Sequence, residues 1–260
     1  MPDQTTQITG RLHSFETLGT LDGPGLRLVV FLQGCPLRCL YCHNPDTWDL
    51  KGGRAVTVEE IVAKASRMRP YFGSTGGVTL SGGEPLAQPQ FTLALLKSLK
   101  KEGIHTVLDT SGTAVFSASE RTLGISTAQI QAILTATDLV LLDVKAPLAE
   151  NFQALTGCSM AGLERFLELA NDNHQAVWIR QVIVPGLNDT TTDVEALVQF
   201  LQRYPKLQIP KVELLPYHSL GVRKYEQMGL PYLLAGVVPL AEEQLAILQQ
   251  AVDQRFFLNR

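Results

Sequence analysis

Short apolar runs rich in β-branched residues alternate with stretches of helical periodicity along the chain. This alternation is typical of βα units, in which helices connect parallel strands. The pattern predicts six strands, at residues 28–32, 78–80, 104–109, 139–144, 177–184 and 211–216. It predicts helices at about 57–68, 90–101, 127–135, 161–171, 192–204 and 241–255.

Six βα units are fewer than the eight that close a complete barrel. The sequence therefore predicts an α/β fold with a partial (β/α)6 TIM-like barrel, formed as a single domain by residues 1–260. The segment at about 117–126 is the best candidate for a surface insertion. Ligands of parallel α/β folds bind beyond the carboxyl ends of the strands, so polar residues at those positions form the candidate site.

Composition narrows the range of partners. Of the 260 residues, 45% are hydrophobic and 18% are charged, which is typical of a folded globular protein. The net charge of -3 gives no reason to expect a nucleic-acid partner. No apolar run is long enough to span a bilayer, and the polar residues 1–7 do not resemble a signal peptide. These features predict a cytoplasmic protein with no membrane association.

Three of the four cysteines, Cys35, Cys39 and Cys42, lie within eight positions directly after the first predicted strand. Such clustering is typical of metal binding in a reducing compartment, not of a disulfide framework. Structural zinc sites and ferredoxin clusters use four protein ligands, so three thiolates leave one metal position open. One alternative is a zinc site in which His43 is the fourth ligand. Cys158 is distant in sequence and is predicted to be a buried structural thiol.

The spacing of these cysteines resembles the signature of the radical S-adenosylmethionine enzymes. The resemblance implies that Cys35, Cys39 and Cys42, in a loop at about 34–44, hold a 4Fe-4S cluster whose fourth iron binds S-adenosylmethionine. One electron would then cleave the sulfonium to methionine and a 5′-deoxyadenosyl radical. In such enzymes the cofactors carry the difficult chemistry and the protein positions them.

Further candidate residues follow the later strands. Ser81 and the three residues after it match the family's Gly-Gly-Glu element, although a Gly-Gly pair alone is an ordinary turn signal. Asp143 and Lys145 would lie on one face of a strand, where a simple ion pair is the alternative. Arg180 needs an anionic partner, either the methionine carboxylate or Glu84. The resemblance implies binding of S-adenosylmethionine by Tyr41, Cys42, His43, Gly82, Gly83, Glu84, Asp143, Val144, Lys145, Arg180 and His218.

A monovalent-cation site is also implied by the resemblance. Asp109, Thr110 and Asp143 match the family's site beside the methionine carboxylate. Oxygen ligands suit such a cation. The alternative is that these side chains cap strand ends by hydrogen bonding.

Longer blocks of sequence resemble, more narrowly, the activating enzymes of pyruvate formate-lyase. The matching blocks are residues 10–16, 20–27, 39–44, 46–49 and 213–218. This resemblance implies an oxidoreductase of anaerobic glucose metabolism that abstracts a hydrogen from the Cα of one glycine in pyruvate formate-lyase, leaving a glycyl radical. Residues 22–27 would contact the glycine loop of that partner, although an ordinary Asp-Gly-Pro-Gly turn is the alternative.

Residues 44–81 contain no cysteine, unlike activating enzymes that carry a ferredoxin-like insertion at this place. The resemblance therefore implies direct reduction of the cluster by a flavodoxin or a ferredoxin. Insertion of a large partner's loop favours a monomer. Three other functions remain open: activation of another glycyl-radical enzyme, a radical reaction on a small molecule, and a non-catalytic zinc-binding interaction module.

Overall fold

The structure is a computed structural model that describes residues 8–113 and 125–257. Within these residues the chain divides into two compact units. The first comprises residues 8–36, 47–110 and 125–141, and the second comprises residues 37–46, 111–113 and 142–257. The single-domain assignment stays a prediction. The candidate insertion at about 117–126 lies outside the described residues as far as residue 124.

The sheet of the first unit is mostly parallel. Its strands follow the order β3-β1-β2-β4-β5-β6. Strand β2 pairs in parallel with β4, and β4 with β5, whereas β1 is antiparallel to both β2 and β3. Strands β2 and β4 are almost entirely buried, as expected for parallel strands covered on both faces. The strands are β1 Thr9–Gly19, β2 Arg27–Leu32, β3 Arg54–Thr57, β4 Gly77–Gly82, β5 His105–Thr110 and β6 Leu139–Asp143, whose first three residues belong to this unit.

The helices of this unit are α1 Val58–Phe72, α2 Pro89–Lys101 and α3 Thr127–Thr135. Ser126 and Gln129 form a reciprocal capping box that starts α3 at the predicted residue. Helix α1 continues beyond its predicted end and contains Pro70 in its last turn. Gly73, with φ of 58°, ends it.

The second unit contains the last two residues of β6, the parallel strands β7 Ala176–Ile183 and β8 Gln208–Pro216, and five helices among its described residues. Thr190 and Asp193 form a capping box at the start of α6. None of the helices in the described ranges is long and apolar enough to cross a membrane. The helices are α4 Ala149–Thr156, α5 Ala161–Asp172, α6 Thr191–Gln202, α7 Val222–Gln227 and α8 Glu242–Phe256.

Strand β8 is the last strand in the sheet order, and a side chain from α8 covers part of its outer edge. The Gln249 Nε2 donates to the Val212 carbonyl at 2.9 Å, and the Leu214 N–H donates to the Gln249 Oε1 at 2.8 Å. One amide group thus pairs two backbone groups that an edge strand would otherwise expose.

All six predicted strands are present, with ends that differ by at most three residues. The sequence reasoning missed β1 and β3, which carry many polar and partly exposed side chains and so lack a buried apolar run. It also missed α4 and α7, which have eight and six residues and are too short for a clear helical period.

Candidate active site

Two glycines at the end of β4 pack against the turn that follows β2. A Cβ on Gly82, whose φ is 117°, would lie 2.3 Å from the backbone N and O of Leu32. A Cβ on Gly83 would lie 2.3 Å from the Gly34 carbonyl oxygen and 3.1 Å from the Cys35 Cβ. Only glycine allows this approach. The Gly-Gly pair therefore holds the β4 turn beside the first cysteine of the predicted cluster loop.

Four polar side chains at the ends of β4 and β5 form two hydrogen-bonded pairs. Thr110 Oγ1 donates to Glu84 Oε1 at 2.5 Å, and the same oxygen accepts from the Leu86 N–H at 3.1 Å. Ser81 Oγ donates to Asp109 Oδ2 at 2.7 Å. The alternative named for Asp109 and Thr110, hydrogen bonding at strand ends, is thus present in the structure. The cation site stays a prediction.

In the second unit, Asp143 and Lys145 form a short ion pair beside Tyr41. The Lys145 Nζ lies 2.6 Å from Asp143 Oδ2 and 5.4 Å from the centroid of the Tyr41 ring. Burial by itself would lower the pKa of Lys145, but Asp143 and the other acidic groups around it together outweigh burial and raise this pKa well above its usual value. Lys145 is therefore held as a cation, and the ion pair considered as an alternative is present in the structure.

The thiol of Cys39 is buried, with 8% of the residue exposed. Burial raises its pKa to about 12, against the opposing effect of the Lys145 charge. A thiol in this environment becomes a ligand when a metal replaces its proton. Cys158 is near enough for its charge to raise the pKa of Cys39 further. Cys158 is partly exposed, not buried as predicted, because it lies in the short connection between α4 and α5.

Two histidines stack in this unit. The rings of His43 and His218 lie 3.9 Å apart at 17°, and His43 Nε2 donates to the His218 carbonyl at 3.0 Å. Burial lowers the pKa of His43, although this hydrogen bond acts in the opposite direction. A Cβ on Gly221 would lie 2.9 Å from the His43 Cα. The turn after β8 is therefore packed tightly on the residue that follows the third cysteine.

A lysine that sequence reasoning missed fixes the end of the cluster loop. Lys224 Nζ donates to Asn44 Oδ1 at 2.8 Å and contacts Asp46 at 3.0 Å. Lys224 lies on α7, the short helix that had no recognisable period. The only sequence feature that could have pointed to this contact is that Asn44 and Asp46 lie in segments that resemble the family.

Arg180 has a different carboxylate partner from the one predicted. Its Nε lies 3.9 Å from Glu213 Oε2 on the adjacent strand β8. Glu84, one of the two partners proposed from the sequence, belongs to the hydrogen-bond group at the end of β4. The Arg180 carbonyl accepts from the Val144 N–H at 2.9 Å, which joins β7 to the end of β6.

Several buried side-chain atoms of the second unit have no hydrogen-bond partner within the described ranges, among them Asp143 Oδ1, Gln181 Nε2 and His218 Nδ1. Buried polar atoms are nearly always paired, so such an atom fits a position at which a bound molecule supplies the partner. Of these residues, Asp143 and His218 are among those that the sequence assigns to S-adenosylmethionine. The donor set of three cysteines is that of an iron–sulfur cluster, so the residues present fit both groups.

Among residues 8–113 and 125–257, no three His, Cys, Asp or Glu side chains form a site for a single metal ion. A 4Fe-4S cluster makes no such demand, since each cysteine binds a different iron.

Comparison with known proteins identifies the family. A family model described as the radical SAM superfamily matches residues 29–201. A protein of Clostridium pasteurianum named pyruvate formate-lyase-activating enzyme is 43% identical over 248 residues, which cover 95% of this chain and 98% of that protein. The chain belongs to the pyruvate formate-lyase-activating family of radical SAM proteins.

A second member of this family is similarly close. The pyruvate formate-lyase 1-activating enzyme of Escherichia coli K12 is 41% identical over 248 residues, covering 95% of this chain and 96% of that protein. The solved structure of a domain of pyruvate-formate lyase-activating enzyme from Bacteroides vulgatus matches with a TM-score of 0.53 at 22% identity. It covers 69% of this radical SAM protein and 94% of the solved chain. The predicted fold class, the α/β partial barrel of radical SAM proteins, is confirmed.

Proposed function

We propose that this protein activates pyruvate formate-lyase by using S-adenosylmethionine to generate a glycyl radical on it. The observation that carries the proposal is the 43% identity to an enzyme of that name over 98% of its length. A shared domain alone would support only a radical SAM reaction. Similarity over the full length also includes the segments outside the family model, such as residues 213–218 with His218.

The cluster is assigned to Cys35, Cys39 and Cys42. Their spacing and the family support this assignment. With S-adenosylmethionine bound, a 4Fe-4S cluster supplies one-electron cleavage of a carbon–sulfur bond and hence a radical that removes hydrogen. The protein contributes a dry environment around Cys39 and the fixed turn from Gly34 to Cys35 that Gly83 supports.

The assignment of the S-adenosylmethionine site rests on residues with unused bonding capacity. Lys145 is a permanent cation suited to the methionine carboxylate. Asp143 Oδ1 and His218 Nδ1 are available to polar groups of the ribose and adenine. The aromatic rings of Tyr41 and His43 suit contact with a flat base. The remaining assigned residues are Cys42, Gly82, Gly83, Glu84, Val144 and Arg180, among which Glu84 would receive the methionine amino group.

The reaction requires a protein partner and an electron donor. The target is the Cα of a glycine, where no side chain blocks access and the flanking peptide groups delocalise the unpaired electron. A flavodoxin or a ferredoxin would reduce the cluster through a small and transient contact. We assign the protein to the cytoplasm as a monomer. Asp109, Thr110 and Asp143 offer oxygen ligands to a monovalent cation beside the cofactor.

The direct test uses protein purified without oxygen and reconstituted with iron and sulfide. Incubation with S-adenosylmethionine, a reductant and pyruvate formate-lyase should give the electron paramagnetic resonance doublet of a glycyl radical, with release of methionine. A partner in which the target glycine is replaced by alanine is the control and should give no doublet. A protein that releases methionine but gives the doublet only with another glycyl-radical enzyme would contradict the proposed substrate.

A further inference from the structure

The C-terminal turn of α4 contacts the cluster loop through the main chain. The Arg38 N–H donates to the Thr156 carbonyl at 2.8 Å, and the Leu40 N–H donates to the Leu155 carbonyl at 2.9 Å. The last carbonyls of a helix have no donor within the helix and need one from elsewhere. The cluster loop supplies two such donors, one on each side of Cys39. The backbone around this cysteine is therefore fixed by α4.

Thr156 holds this turn in shape. Its Oγ1 donates to the Phe152 carbonyl at 2.7 Å and accepts from the Cys158 N–H at 3.1 Å. The side chain is completely buried. Gly157 follows in the left-handed region at φ of 70°, and its N–H donates to the Gln153 carbonyl at 2.8 Å. We call residues 155–158 the α4 turn.

The α4 turn has two effects on the electrostatic environment of Cys39. The backbone N–H groups of Arg38 and Leu40 already donate to the carbonyls of α4, so neither can donate a hydrogen bond to a sulfur atom. The C-terminal end of a helix also carries a partial negative charge. Hydrogen bonds to the sulfurs and nearby charge set the reduction potential of an iron–sulfur cluster. Fewer donors and added negative charge both disfavour reduction, which makes the reduced cluster a stronger reductant.

We propose that the α4 turn holds the cluster loop and lowers the reduction potential of the cluster, with Thr156 as the positioning residue. This inference rests on the proposed function, since it takes a 4Fe-4S cluster at Cys35, Cys39 and Cys42 as given. It assigns a role to a segment that sequence reasoning did not recognise as a helix.

The experiment compares wild-type protein with Thr156→Val, which keeps the shape of the side chain and removes its hydroxyl group. The reduction potential of the reconstituted cluster is measured without S-adenosylmethionine or partner. We expect an increase of about tenfold in the equilibrium constant for reduction, which is ~59 mV for one electron. Amide hydrogen exchange at Arg38 and Leu40 in the apoprotein should become about tenfold faster, because their acceptors are less well held. Thr156→Ser should restore both values.

Thr137→Val is the matched control. Thr137 is also buried, and its Oγ1 donates to the Ile133 carbonyl at 2.8 Å just after α3, so the same type of bond is lost in the other unit. It should lower stability and leave the potential unchanged. Gly157→Ala, which strains the left-handed position and keeps the hydroxyl of Thr156, is a second variant and should shift the potential in the same direction.

An unchanged potential and unchanged amide exchange in Thr156→Val and Gly157→Ala would overturn the inference, as would an equal shift in Thr137→Val. Wild-type protein that binds no 4Fe-4S cluster would instead overturn the proposed function. In that case, amide exchange at Arg38 and Leu40 in the apoprotein would still test whether the α4 turn holds the cluster loop.

Discussion

The residues assigned to the site fall into two regions that differ in how their polar groups are satisfied. At the ends of β4 and β5, Ser81 donates to Asp109 and Thr110 donates to Glu84, so these side chains have partners within the protein. In the second unit, Asp143 keeps one buried oxygen without a partner in the part of the chain that the structure describes. Side chains that are paired within the protein are stable without a ligand, whereas a buried unpaired atom is costly until a ligand binds. The second region should therefore be more sensitive to loss of the cofactor.

The largest effect is expected for Cys39, the middle cysteine of the trio, which lies in the second unit. Cys39→Ala removes one of the three assigned cluster ligands, so the 4Fe-4S absorbance should be lost. Activity should fall by more than about 10³-fold, or ~4 kcal/mol in the barrier. Cys158→Ala is the control and should retain cluster and activity. Retention of the cluster in Cys39→Ala would refute the assignment.

The difference between the two regions can be measured through the affinity for S-adenosylmethionine. Asp143→Asn removes the charge that pairs with Lys145. It also converts the carboxylate, whose Oδ1 is available to the ligand, into an amide. It should weaken binding by about 10- to 100-fold, the range for a hydrogen bond to a charged group. Equilibrium dialysis of reconstituted protein would measure this constant.

Ser81→Ala is the matching change in the first region, where it removes the hydrogen bond to Asp109. It should lower the free energy of unfolding by about 1 kcal/mol and leave the affinity for S-adenosylmethionine nearly unchanged. Equal losses of affinity in Asp143→Asn and Ser81→Ala would show that the two regions do not differ in this way.

Two glycine substitutions, one in the first region and one in the loop after β7, separate a steric constraint from a conformational one. Gly83→Ala would place a methyl group 2.3 Å from the Gly34 oxygen and should lower stability by about 1–3 kcal/mol. Gly186→Ala meets no atom within 4 Å but has φ of 77°, so it should lose only about 1 kcal/mol. Urea unfolding midpoints would compare them. A smaller loss at Gly83 than at Gly186 would mean that the β4 turn can relax.

The smallest effect is expected at the start of β5 in the first unit. There the Nη2 of the buried Arg27 lies 3.3 Å from the His105 Nδ1. Burial lowers the pKa of His105, and the charge of Arg27 lowers it further. Below the ordinary value of 6.5 the unfolded chain binds a proton that the folded protein resists, so stability falls as pH decreases through that value.

The loss at His105 should be less than about 1 kcal/mol, because the ring is partly exposed. Thermal unfolding of wild-type protein and His105→Gln between pH 7 and pH 5 would measure it. The variant should show the flatter profile, and parallel profiles would exclude His105 as the cause.

The parts of the molecule that the sequence predicts are those in which a local pattern of residues determines the structure. Strands such as β2 are buried on both faces and read as continuous apolar runs. Ser126 and Gln129 mark the start of α3, because a capping box needs only neighbouring residues. Strand β1 was missed, since its residues are mostly partly exposed and its position depends on pairing with β2 and β3.

The same difference between local and tertiary features applies to the site. The cysteine trio is local, so its spacing alone predicts a metal site with one position left open. The bond between Lys224 and Asn44 joins residues far apart in the sequence, and the contact of Arg180 with Glu213 depends on the register of β7 and β8. Such pairings follow from tertiary geometry. The α4 turn was missed for the same reason, because Thr156 gains its role only where α4 meets the cluster loop.

The Gln249 side chain of α8, which bonds to the backbone of β8, affects how the protein behaves in concentrated solution. By occupying the Val212 carbonyl and the Leu214 N–H, it acts as a one-residue substitute for a ninth strand. Edge strands with free backbone groups recruit strands from other molecules. The side chain therefore blocks intermolecular β-pairing at the middle of β8 and works against aggregation.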